Sequence, residues 1–143
     1  MTVANPDRPQ ASRFVNTSID VKVRLGAMWA SVMACYLYGD YFGLFKPGAM
    51  SDIVAGRTGA FGTQAGLLAA AVMMAIPSVL ICLSLTLSPV VNRVANIVLG
   101  LGYTVIIVAT LPGAWWFYGL LAAVEAALTL AIAWTAWRWP RVG

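Results

Sequence analysis

The stretch that decides the fold is Gly119–Trp134, GLLAAVEAALTLAIAW. It is apolar almost throughout, and one carboxylate, Glu125, stands in its middle. A hydrocarbon core of about 30 Å is crossed by about 20 predominantly apolar helical residues. Extended to its aromatic flanks, the run predicts a membrane-spanning helix over 115–137. An acid at the centre of such a helix costs about 2.5–3.5 kcal/mol on insertion scales. Glu125 therefore needs a partner or a task.

The rest of the chain has the same character. Of 143 residues, 61% are hydrophobic and 10% charged, against roughly 45–50% and about 25% in soluble domains. Mean hydropathy is +0.82. Three more apolar runs predict spans at 25–45, 62–87 and 94–111. The expectation is an all-α integral membrane protein, an antiparallel four-helix bundle. Residues 1–17, polar and containing Pro6 and Pro9, are expected to be a flexible cytoplasmic segment, and 18–143 a single transmembrane domain. Thr17 or Ser18, with Asp20 following, is expected to cap the first helix. The first apolar run is too long and starts too late for a secretory signal peptide.

Charge sets orientation. Arg8, Arg13, Lys22, Arg24, Arg93, Arg138 and Arg141 fall on one side, and Lys46 and Arg57 on the other. The positive-inside rule puts both termini in the cytoplasm, as expected for a multi-pass protein of the inner (cytoplasmic) membrane. The net charge of +4 sits at the span ends, so no nucleic-acid partner is expected. Tyr41, Phe42 and Phe45, then Trp115–Tyr118, then Trp134, Trp137 and Trp139 stand where aromatic rings anchor spans. The turn LPGAWW makes the last two spans a hairpin.

Depth along the helices groups the polar residues. Glu125 lies about ten residues from the outer turn, roughly 15 Å. The same distance back into the third span reaches Tyr103, its expected side-chain partner. Asn96, Gly100, Tyr103, Ile107 and Thr110 recur at helical spacing, one face that should look inward. Pro77 strips the carbonyl of Met73 of its N–H donor, and a protonated Glu125 could supply one. Asp40, with Tyr36 one turn below, lies nearer the outer end, where Arg57 could pair with it. These groups, with Thr129, form a candidate ligand or proton site: Glu125, Tyr103, Asp40, Tyr36 and Thr129. Asn92, Arg93 and Asn96 in the cytoplasmic turn are candidates for an anion or a lipid headgroup. Gly62, Gly66 and Ala70 repeat at four-residue spacing, a small-residue ridge for helix packing, with Pro77 as a kink. No His occurs, Cys35 and Cys82 lack metal or redox spacing, and no cofactor or metal is expected.

The segments VKVRLGAMWASVMACYLYGDYFGLF, NRVANIVLGLGYTVI and LPGAWWFYGLLAAVEAALTLAIAWTAWRWP resemble a bacterial family of small four-span membrane proteins catalogued as a domain of unknown function. The resemblance runs from about Asp20 to Pro140. It implies that Asp40, Asn92–Arg93, Tyr103 and Glu125 belong to the family pattern, and it brings no activity. Small multidrug transporters carry their essential glutamate in the first helix, and quinone-linked disulfide oxidoreductases need paired cysteines. Neither pattern is present here.

Three functions compete. The first is binding or transport of a hydrophobic, lipid-like or cationic small molecule at a site centred on Glu125, with the bilayer as its medium. It requires a polar cavity between the first, third and fourth spans. The second is a non-catalytic accessory subunit, docking a partner or a second copy through the Gly62–Gly66–Ala70 ridge. The third is a membrane enzyme using Glu125 or Asp40 as an acid on a lipophilic substrate. An enzyme is the least expected, for want of His, metal ligands or an activated nucleophile.

Overall fold

The computed structural model describes residues 18–140. The expected flexible segment, Arg8, Arg13, Arg141 and the Thr17 half of the expected cap lie outside the described residues. The described chain is all-helical: α1 Val21–Gly43, α2 Ala49–Val54, a 3-10 turn Gly59–Gly62, α3 Gln64–Thr86, α4 Pro89–Ala109 and α5 Trp116–Trp137. Three helices, α3, α4 and α5, are long and apolar enough to cross a membrane. At 23 residues α1 matches α3 in length, but it carries Lys22, Arg24 and Asp40.

Local chemistry sets the helix ends. The cap of α1 is Asp20, whose carboxylate accepts the Lys22 backbone N–H at 2.8 Å. The acid placed third in the expected capping box is therefore the cap itself. Thr63 caps α3 through the Gly66 N–H at 3.1 Å. Pro89 opens α4 just after Ser88, where its missing N–H costs nothing. Between α4 and α5 the chain reverses at Gly113 (φ 76°). The α1–α3 connection is not a bare loop, since α2 and the 3-10 turn lie within it. Gly48, Gly56 and Gly59 there take positive φ, which glycine alone adopts freely.

Helix α1 packs against α3 and α5, and α5 against α4, while α3 and α4 barely touch. The two ends of the molecule differ. Toward the Ser88 turn the interior is solid: Leu25, Trp29 and Val32 of α1, Leu80 of α3, Tyr103 of α4, and Ile132 and Ala136 of α5 form one buried cluster. Gly100 lets α4 and α5 close up, for a Cβ there would stand 2.9 Å from the Thr129 carbonyl oxygen. Toward the other end the α3–α4 seam opens. Outward faces are apolar, with Leu68, Val79, Val98, Val105 and Leu120 all exposed, as side chains facing lipid would be.

The inward face of α4 is Asn92, Asn96, Gly100, Tyr103 and Ile107. It matches the expected stripe, shifted by one turn, and Thr110 is exposed.

Candidate functional site

At the open end lies a cavity of ≈ 630 Å³. Each long helix contributes the half that faces the α1–α3 connection and the α4–α5 turn. Helix α1 supplies Tyr36, Gly39 and Asp40, and α5 supplies Tyr118, Leu121 and Glu125. Each set recurs at helical spacing of three and four, so each forms one face. The α3 and α4 walls are apolar apart from Thr110, with Leu67, Ala70, Met74 and Ile106 among them.

Glu125 is buried, at 5% exposure, and lies at the deep end of its helix's contribution. Among the described residues its carboxyl has no hydrogen-bond partner, and its backbone carbonyl accepts from the Thr129 hydroxyl at 3.0 Å. The expected pairing with Tyr103 does not form. The Tyr103 hydroxyl instead donates to the Met73 carbonyl at 2.7 Å. That carbonyl is the one Pro77 deprives of its donor, so the phenol replaces the missing N–H. The donor expected for that carbonyl, a protonated Glu125, does not bond to it, and Tyr103 does. This bond is a polar clasp across the α3–α4 seam, and Met73 marks the cavity's edge. Edge-on packing of Trp29 against Tyr103, with ring centroids 5.7 Å apart, holds the phenol in place.

Asp40 lines the cavity and remains exposed. Arg57 does not reach it. Its guanidinium pairs with Asp52 of α2 at 2.7 Å, because α2 brings that acid five residues away while Asp40 lies on another helix. The Tyr36 hydroxyl is buried on the cavity wall without a partner. Thr129 is not a cavity residue. Its hydroxyl meets that of Thr104 at 2.7 Å in the α4–α5 contact.

The candidate anion site is taken up internally. Trp29 donates its indole N–H to Asn96 Oδ1 at 2.7 Å, Asn96 Nδ2 donates to Asn92 Oδ1 at 2.7 Å, and Asn92 Nδ2 donates to the Ser84 carbonyl at 2.6 Å. Both asparagines are fully buried, so neither presents its amide to a headgroup. Arg93 donates to the carbonyls of Ala136 and Trp137, both at 3.2 Å, and Lys22 Nζ to that of Leu87 at 2.7 Å. These are carbonyls at the C-terminal ends of α5 and α3, which lack partners within their helices. The basic residues read as topology signals thus also cap two helices.

Nor do Gly62, Gly66 and Ala70 form one ridge. Gly62 ends the 3-10 turn, outside α3. A Cβ on Gly66 would overlap the Ala60 carbonyl, so its smallness serves the fold back of the turn onto α3. Ala70 lines the cavity. Pro77 is fully buried.

Sequence reasoning missed Tyr118 as a site residue and read it as an interfacial anchor. Its hydroxyl donates to Thr110 Oγ1 at 3.3 Å, bridging α5 and α4 beside the cavity. Its position seven residues before Glu125, on the same helical face, was the available signal. Among the described residues no group of three metal-ligating acids or thiols forms, and Cys35 and Cys82 are free thiols.

A family model matches nearly the whole chain, residues 15–142. The chain belongs to the family of unknown function DUF6326. No curated protein and no solved structure matches it. Membership of DUF6326 agrees with the resemblance carried by the three quoted segments, and it assigns no chemistry to the cavity.

Proposed function

We propose that the chain is a four-span antiparallel bundle of the inner membrane with both termini in the cytoplasm. In this reading it binds, and as a transporter would move, a hydrophobic or cationic small molecule in the cavity beside Glu125. The observation that carries the reading is the unpartnered Glu125 carboxyl in a cavity of ≈ 630 Å³. Pockets of about 300–1,000 Å³, mostly apolar with a few convergent polar groups, are the usual form of small-molecule sites. An ionisable group inside a membrane is by default a functional one. The open α3–α4 seam offers a lateral way in from lipid. Lys22, Arg24, Arg93 and Arg138 gather toward the end holding the Ser88 turn, in keeping with a cytoplasmic face.

The test is binding of hydrophobic cations to purified protein in nanodiscs. Wild type is expected to bind, and Glu125→Gln to lose most of that affinity. Equal binding by both would end the reading.

One observation favours a second reading, a membrane enzyme acting on a lipophilic substrate. Asp40 and Glu125 line the same cavity, so two carboxyls could share one substrate as general acid and base. On that reading Asp40→Asn keeps binding and loses turnover.

A further inference from the structure

The cavity's lining restricts what it can hold. Among the described residues its ionisable side chains besides the tyrosines are Asp40 and Glu125, and no Lys or Arg lines it. An anionic headgroup would meet two carboxyls and no counter-charge. A neutral chain would leave the buried Glu125 carboxyl without a partner. An unsatisfied buried polar group is costly, and a buried charge more so. The Tyr36 hydroxyl, on the facing helix, is also buried and unpartnered. The Tyr36 oxygen has almost no free surface, so the acceptor that the site presents is the Glu125 carboxyl on α5, inside walls of Leu67, Ala70, Met74 and Ile106.

We infer that the ligand is a protonated amine on an apolar chain, one whose nitrogen keeps its N–H groups. One N–H donates to the Glu125 carboxylate, a charge-assisted hydrogen bond. The chain lies along the apolar walls toward the α3–α4 seam. A quaternary ammonium balances the charge but leaves the carboxylate without a donor, so it binds more weakly. A phospholipid amine brings a phosphate toward Asp40 and is disfavoured. This inference rests on the binding reading and narrows it to one chemical class.

The experiment is native mass spectrometry of the full chain released from detergent, with dodecylamine, dodecanol, dodecyltrimethylammonium and dodecanoate offered at equal concentration. Dodecylamine is expected to bind roughly tenfold more tightly than the alcohol or the quaternary cation, and dodecanoate not measurably. In Glu125→Gln the amine falls to the level of dodecanol while dodecanol binding stays, which also shows that the cavity survives. Equal binding of amine and alcohol by wild type, or an amine preference that survives Glu125→Gln, overturns the inference and leaves a cavity for apolar chains. Binding of none of the four overturns both the inference and the binding reading.

Discussion

Tyr103 and Pro77 act as a pair. The proline opens a gap in the backbone ladder of α3, and a phenol from α4 fills it at 2.7 Å. Tyr103→Phe leaves the Met73 carbonyl unsatisfied and should lower stability by about 1–3 kcal/mol. In Pro77→Ala the carbonyl regains its own N–H donor, and Tyr103→Phe on that background should cost much less. Thermal unfolding of the two single variants and the double variant in detergent measures the coupling, expected within about 0.5–3 kcal/mol for contacting residues. Additive effects would mean that the phenol is not replacing the missing donor. Asn96 is a second such residue. It accepts from Trp29 and donates to Asn92, joining α1 to α4, while Asn92 extends the link to the end of α3. Asn96→Leu strands the indole N–H and Asn92 Oδ1 in the solid half of the interior. It should destabilise by about 1–3 kcal/mol, read by the same unfolding curves.

Two glycines on α4 separate close approach from mere helix content. Gly100 faces α5, where a Cβ would stand 2.9 Å from the Thr129 carbonyl oxygen and 3.3 Å from Ala133 Cβ. Gly102 faces open space. Gly100→Ala should push α4 from α5 and cost about 1–3 kcal/mol, as overpacking does. Gly102→Ala should be neutral, or stabilising by up to about 1 kcal/mol through helix propensity. Similar melting shifts in both variants would show that the α4–α5 approach is not limiting. In α3 the corresponding element is its start, where the absence of a side chain on Gly66 leaves room for the Ala60 carbonyl. Gly66→Leu should dislodge the 3-10 turn. Limited proteolysis should then cut within residues 55–63 sooner than in wild type, while the Ser88 end, with its separate core, stays protected.

The whole molecule divides along its length. One half is filled by Trp29, Leu80 and Ile132 and is tied by side chains that cap helix ends. The other half is left open beside Glu125. Such a division gives a solid base beneath a seam where α3 and α4 barely touch, the Tyr103–Met73 bond standing between the two halves. The proposed topology makes a separate prediction at this scale. In a variant lacking Cys35 and Cys82, a membrane-impermeant maleimide applied to intact cells should label Ser51→Cys in α2. It should label Ser18→Cys only after permeabilisation. The reverse pattern would invert the orientation and put the cavity's open end on the cytoplasmic side.

By itself the sequence determined the helical class, the membrane-compatible character of α3, α4 and α5, and their limits within a few residues. It also determined the inward face of α4. These follow from composition and from the 3.6-residue period, which depend only on near neighbours in the chain. It placed Glu125, Tyr36 and Asp40 where the cavity now joins them, because depth along a helix is arithmetic in residue number. Which groups bond to which was decided only by tertiary structure. Tyr103 and Glu125 could both reach the level of the Met73 carbonyl, and helix rotation gave it to Tyr103. Asn92 and Asn96 looked free to bind an anion until α1 brought Trp29 against them. Arg57 could have met Asp40 had α2 not supplied Asp52 first. Gly66 and Ala70 keep a common face of α3, but Gly62 does not join them, because the helix begins only at Gln64. Hydrogen-bond partners and cavities depend on the rotation and separation of whole helices. Those are set by the packing of many side chains at once, and no local stretch of sequence records them.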